Sequence, residues 1–399
     1  MLLTAIIFLL ILSVLVLIHE AGHFFVAKKF GIKVEEFGFG LPPRAIGKKI
    51  GETIYSLNWL PIGGFVKLYG EDEAGAGRPQ LKVKSEKLKV ADEKRAFYAR
   101  PVWQRALVVV AGVLMNALLA VVIYYSYLFI SGFKAELPLI GDHKFFLVNQ
   151  TVKSDLIIGS VSKNSPAEKA GMKPFIKIES VNGKQIKDTQ TFVSVINSNK
   201  GKQVNIVWRD VKTNQQFKAN IVPRVSTPKN EGALGVAFFS VNTAVVSYDT
   251  PLQKVFSGFI HPANLLVYNF DVLGKLVAVS IKEKTAAPLS GNVAGPIGIY
   301  SLVGSIVKIT DIKEKILQTL NLAGILSISL AFFNVLPIPA LDGGRLFFIL
   351  VEGAIGKKIN PRFESFVHAI GMAILLGLIA LITFQDLVRI FSGKNPLVP

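Results

Sequence analysis

Four stretches of the chain are almost free of charge over lengths that fit a bilayer. Met1–Ala27 is apolar apart from a few polar positions, of which His19 and Glu20 are the first ionisable ones. Ala106–Phe133 and Ile316–Leu341 carry no charged side chain, and Ser365–Gln385 has His368 as its one ionisable group. A hydrocarbon core needs about 20 apolar residues in helical form. The pattern predicts a polytopic α-helical membrane protein with four transmembrane helices, at 1–27, 103–133, 316–344 and 365–388. A cleaved signal peptide is a poor reading of the first stretch. Such a leader begins with basic residues, and no Lys or Arg precedes Lys28.

The segments between these stretches differ in kind. Residues 28–102 form a charged region, and within it 72–96 is dense in Lys, Glu and Ala with Gly75, Gly77 and Pro79, which reads as a cytoplasmic loop. Residues 134–235 read as a compact extracytoplasmic domain of mixed α and β structure. Leu156–Val161, Ile176–Val181 and Val204–Trp208 are short apolar runs bounded by turn residues, as in strands. Ser165-Pro166-Ala167-Glu168-Lys169-Ala170-Gly171 has the start and stop signals of a short helix. In the remaining region, 236–315, Val255, Phe256, Phe259, Leu265, Leu266, Phe270, Leu273 and Leu276 recur at roughly helical spacing. That predicts an amphipathic helix over 252–285, resting on the membrane or packed against the protein. No internal repeat is found.

Composition sharpens this picture. Only 18% of the 399 residues are charged, against about 25% in an ordinary soluble domain. This argues against a uniformly soluble or disordered chain. The formal net charge is nevertheless +18. Residues 28–102 carry 15 Lys plus Arg against 9 Asp plus Glu, and residues 134–315 carry 23 against 13. Orientation follows from basic residues close to the span ends. Lys28, Lys29, Lys33, Lys94, Arg95, Arg100 and Arg105 flank the first two spans, and Arg345, Lys357, Lys358 and Arg362 crowd the link between the last two. Both regions are placed in the cytoplasm, so 134–315 lies outside. The expected location is the cell inner (plasma) membrane, with a lipid bilayer and no nucleic acid as partner. The absence of cysteine excludes disulfides, thiolate zinc sites and cysteine catalysis.

The chemistry is concentrated in His19-Glu20-Ala21-Gly22-His23. Histidines at i and i+4 share a helix face and can converge on one Zn²⁺. Glu20, between them, is placed to act as general base. Two core histidines are the plain alternative, but ionisable groups inside a span are costly and are functional candidates by default. A third ligand must come from elsewhere, and His143, His261 and His368 lack partner spacing. Asp342 is favoured. It ends the third stretch in Asn334-Val335-Leu336-Pro337-Ile338-Pro339-Ala340-Leu341-Asp342-Gly343-Gly344-Arg345, where two prolines break the helix. Capping a helix at the membrane surface is its other reading. Asn334 could donate a hydrogen bond to a substrate or serve interhelical packing.

Together these motifs resemble the site-2 protease family, in its bacterial RseP-like branch, over nearly the whole chain. His19-Glu20-Ala21-Gly22-His23 and the Asn334–Arg345 stretch resemble its two metal-binding motifs. Asn58-Trp59-Leu60-Pro61-Ile62-Gly63-Gly64-Phe65-Val66-Lys67 looks like its membrane-reentrant β-loop. Ala111-Gly112 with Asn116, and Gly295-Pro296-Ile297-Gly298-Ile299, resemble further markers, and Asn164–Ala167 with Ser180–Gly183 resemble a PDZ domain.

The resemblance implies an intramembrane zinc metalloprotease that cleaves transmembrane segments of single-span membrane proteins, such as anti-sigma factors or remnant signal peptides. His19, His23 and Asp342 would hold Zn²⁺ and Glu20 would be catalytic. The loop with Asn58, Gly63 and Gly64 would pair with unwound substrate, and the PDZ-like domain would screen its outer segment. Two features depart from the family pattern. One PDZ-like domain is found where two are familiar, and the turn after Lys173-Pro174 reads Phe175-Ile176 where Gly-Asp is usual. Gly takes φ > 0 freely and Phe does not, so this turn is expected to differ.

Overall fold

The computed structural model describes residues 1–71, 93–186, 188–211, 215–228, 231–285 and 295–391. Most of the loop expected over 72–96 lies outside these residues. The chain divides into two units, Met1–Gly132 with Val255–Pro399, and Phe133–Lys254.

The first unit opens with helix α1, Leu2–Lys29, whose apolar run ends at Lys28 and Lys29. Strands β1 (Val34–Ile50) and β2 (Thr53–Leu68) follow, joined at Gly51-Glu52, where Gly51 takes φ +63°. Both strands are long and irregular. Residues 36–39 of β1 pair with 54–57 on one side and 64–67 on the other, while 44–50 return along 53–58. The hairpin is thus folded into four short runs, and residues 64–67 form one of its edges. Asn58 is buried and donates to the Gly40 carbonyl (2.9 Å), and Thr53 donates to that of Val34 (2.9 Å). Helix α2, Val102–Ile130, starts behind Pro101, which supplies no N–H and suits the entry to a helix.

The second unit contributes β3 (Lys134–Leu139), β4 (Asn149–Val161), the short α3 (Pro166–Lys169), β5 (Ile176–Val181), β6 (Lys184–Gln185), α4 (Thr189–Asn197), β7 (Val204–Asp210), β8 (Gln216–Ile221) and β9 (Val236–Ser247). All pairings are antiparallel in the order β3-β9-β4-β5-β7-β8, with β6 on β5. Ile158, Ile178, Phe192, Ile206 and Trp208 sit in its core. Ser165 caps α3 by accepting from the Glu168 N–H (3.1 Å), and Asp188 caps α4 by accepting from that of Thr191 (2.7 Å). Two expectations change here. A domain ending at residue 235 would exclude β9, yet β9 lies between β3 and β4 in the sheet. Phe175 keeps φ +68°, so the turn holds the left-handed geometry that Gly usually supplies.

Returning to the first unit, α5 spans Pro251–Glu283 and continues into it from Val255. Helix α6 is Pro296–Val307, α7 is Ile312–Val335, α8 is Asp342–Ile355 and α9 is Pro361–Phe391. The buried Asp386 carboxylate of α9 accepts from Gly295 N–H (3.0 Å) and Gly298 N–H (2.8 Å) at the start of α6. Five described helices, rather than four, are long and apolar enough to cross a membrane. The additional one is α5, with a mean hydropathy of 1.3 in its best window. Its apolar positions are diluted by polar and charged side chains, among them Lys275, which pairs with Asp271 (2.7 Å). The third expected span, 316–344, is not one helix. It ends at Val335 because Pro337 and Pro339 cannot donate within a helix. The helix that begins at Asp342 is separate.

Candidate metal centre

His19 and His23 lie one turn apart on α1, both buried, with their Nε2 atoms 3.2 Å from each other. Asp342, at the first turn of α8, brings Oδ2 to 3.0 Å from His19 Nε2 and 3.2 Å from His23 Nε2. The three donor atoms form a nearly equilateral triangle. Ligands at about 2.0–2.1 Å around a tetrahedral ion stand roughly 3.3 Å apart. Asp342 Oδ2 is buried and receives no well-aligned hydrogen bond. Two imidazole nitrogens and a carboxylate oxygen, converging in this way, fit a zinc ion. Among the described residues this is the one group of three or more His, Cys, Asp or Glu side chains close enough to hold a metal.

The surroundings orient these three side chains. His23 Nδ1 donates to the Val108 carbonyl of α2 at 2.8 Å, which leaves the Nε2 lone pair for a metal. The buried Asn116 amide, also on α2, stands 3.4 Å from His19 Nδ1. Helix α2 approaches this closely because Gly112 faces both rings. A Cβ there would run into the His23 imidazole. Arg345, one turn along α8, forms an ion pair with Glu71 and lies 3.9 Å from the second Asp342 oxygen.

Glu20 opens onto a cavity of about 880 Å³ shared with Asn58, Phe65, Val66, Asp342 and His368. A second space of about 70 Å³ touches Glu20, His23, Asp342, Glu71 and Arg345, enough for water beside the carboxylate. Gly64 sits next to Glu20, since a Cβ on it would be 3.6 Å from Glu20 Cγ. Gly63 turns the backbone just before it, with φ +83°. Asn58 reaches the cavity wall, although its amide is engaged within the hairpin. Asn334, near the end of α7, lines neither cavity.

Some participants escaped the sequence reading. Val108 acts through a backbone carbonyl, which no side-chain pattern announces. Glu71 and Arg345 are far apart in sequence. His368 did carry a signal, as the ionisable group of an apolar stretch, but its partner, the Ala340 N–H at 2.9 Å, is a backbone group.

Residues 7–378 match the family model described as peptidase family M50. The chain belongs to this family. The M50 chain is 32% identical to a Clostridium perfringens (strain 13) protein with zinc metalloprotease in its name, over 95% of this chain and 97% of that protein. It is 28% identical to the regulator of sigma-W protease RasP of Bacillus subtilis (strain 168), over 97% of this chain and 99% of that one. Zinc metalloprotease RasP of Bacillus licheniformis is also 28% identical, with the same coverage. A solved PDZ domain from a Listeria monocytogenes SdrC-like protein covers 21% of this chain and 85% of its own, at 23% identity and a TM-score of 0.19, too slight a likeness to bear on the fold. This M50 peptidase is a zinc metalloprotease of the site-2 protease type, with helices apolar enough for several membrane passes.

Proposed function

We propose that this peptidase hydrolyses peptide bonds within transmembrane segments of single-span membrane proteins, of the anti-sigma factor or remnant signal peptide type, in regulated intramembrane proteolysis. The reading rests on one observation: three buried ligand atoms converge beside Glu20 at the wall of a cavity that is also bordered by the hairpin edge. In this reading His19, His23 and Asp342 hold the ion. A zinc ion held by them would supply Lewis acidity toward a carbonyl oxygen and would lower the pKa of a nearby water. Glu20 accepts the proton from that water and passes it to the leaving amine.

A substrate helix protects its backbone by its own hydrogen bonds and must unwind before it reacts. The edge at Gly64–Lys67 offers replacement partners by strand addition, and Phe65 and Val66 already face the cavity. Gly63 and Gly64 let this edge run close to Glu20. Asn58 holds the neighbouring strands through Gly40. Asn334 enters this reading as a substrate or oxyanion contact. The clustering of basic residues at the span ends supports a metal centre toward the cytoplasm and an extracytoplasmic, PDZ-like Phe133–Lys254 unit that would screen substrate segments. The test is cleavage of a single-span reporter by the purified, reconstituted protein, with Glu20→Gln as control. Equal cleavage by the variant would remove this reading.

A further inference from the structure

We infer that His368 is a positioning residue, which fixes the carboxylate of Asp342 through the backbone of Ala340. The inference rests on Asp342 being a metal ligand, as proposed above.

Helix α9 exposes most of its side chains. Phe366 is 63% exposed and Ile370 is 45% exposed, yet His368 between them is 4% exposed. An imidazole buried within an apolar span is costly, so its place calls for a partner. The structure supplies one. His368 Nδ1 accepts a hydrogen bond from the Ala340 N–H at 2.9 Å. Ala340 holds φ +79°, in the left-handed region that side chains other than glycine seldom occupy. Such a conformation persists only where the surroundings over-determine it.

The surroundings do so from two sides. On α9, Gly371 stands one turn after His368 and faces Pro339, and a Cβ there would lie 2.6 Å from the Pro339 carbonyl oxygen. On α8, Gly344 faces the Ile338 carbonyl, where a Cβ would lie 2.5 Å from the oxygen, and Gly343 is packed still more closely on the Leu336 carbonyl. The Phe348 ring of α8 stands 5.6 Å from the His368 ring. The segment from Leu336 to Leu341 is therefore clamped between two helices. Asp342 follows Ala340 by two residues, so the turn at Ala340 aims the first residue of α8. Release of that turn would move Asp342 Oδ2 away from the two histidines. His368 also lines the large cavity, and a direct substrate contact is the competing account.

The accounts separate in the full-length protein purified in detergent. Zinc affinity is measured by chelator competition in a Glu20→Gln background, which removes turnover from the readout. His368→Leu is expected to bind zinc about 10-fold or more weakly, the usual effect of losing a group that orients a ligand. His368→Asn, whose amide oxygen can take the place of Nδ1, is expected to stay within about 3-fold of wild type. With Glu20 intact, kcat should fall in the Leu variant while KM is kept. If the Leu variant does not fold, His368→Gln takes its role, because its oxygen reaches the Nε2 position instead. Wild-type zinc affinity in the Leu or Gln variant, or a change confined to KM, overturns the inference. Loss as large in the Asn variant as in the others overturns it too. Asp342→Ala is run alongside. If it keeps full zinc, the ligand reading fails; if it loses zinc while His368→Leu does not, only the positioning role fails.

Discussion

Arg105 and Glu352 meet in a two-point ion pair, with N···O distances of 2.7 and 3.0 Å, that ties the first turn of α2 to the last turn of α8. Both helices line the candidate metal centre, α2 through Val108 and Asn116 and α8 through Asp342. Both side chains are largely buried. Removing one partner of a buried pair leaves an uncompensated charge, at about 3–5 kcal/mol. Glu352→Ala should therefore lower the thermal unfolding midpoint in detergent by several degrees. The double variant Arg105→Met, Glu352→Leu should recover most of the loss. An unchanged midpoint in the single variant would show that the pair contributes little.

The triangle of His19, His23 and Asp342 predicts a pattern of zinc loss. His19→Ala, His23→Ala and Asp342→Ala should each drop zinc stoichiometry well below one per chain and abolish cleavage. Glu20→Gln should retain zinc and lose about 10²–10⁴-fold in rate, as expected for removal of a general base. Metal analysis of the purified variants beside a reporter assay checks both. Zinc lost with Glu20→Gln would assign Glu20 to the ligand set instead.

The three side chains that converge in this candidate site were legible in the sequence, each for a local reason. His19 and His23 announce themselves by one helical turn, and Asp342 by its two prolines and its depth in an apolar stretch. The groups that orient them were less legible. The Val108 carbonyl has no side-chain signature, and Glu71 with Arg345 is a long-range pair. Strand β9 falls outside the expected 134–235 domain, because its place between β3 and β4 is a matter of topology and not of local pattern. Helix α5 mixes apolar positions with polar and a few charged ones, so its pattern suits a membrane surface, a packing face or a span.

Gly112 supplies a steric prediction. A methyl group at this position meets the His23 and His19 rings, so Gly112→Ala should push α2 from α1 and disturb both histidines. Zinc affinity should fall at least 10-fold, with a lower unfolding midpoint. Gly377→Ala is the matched control, since a Cβ there meets nothing within 4 Å. Equal zinc affinity in the two variants would mean that the helices separate without cost to the site.

Glu52, at the turn between β1 and β2, gives a pH dependence with a definite sign. Its carboxylate accepts from Arg95 (2.7 and 2.8 Å) and from Lys28 at the end of α1 (2.7 Å). The Arg95 hydrogen bonds first, then that of Lys28, hold its pKa at about 2, below the usual 4.5. A carboxylate depressed in this way stabilises the fold fully above its unfolded pKa, and the contribution fades as pH falls from about 4.5 through about 2. Partial exposure to solvent keeps it modest, on the order of 1 kcal/mol. The unfolding midpoint of Glu52→Gln should therefore lie below wild type by a constant amount between pH 8 and pH 6, in rough terms, and the gap should narrow below about pH 4.5. Raised salt should narrow it as well, because the cluster is partly screened. A gap that stays constant down to about pH 3 would place the effect of the substitution in packing rather than in charge.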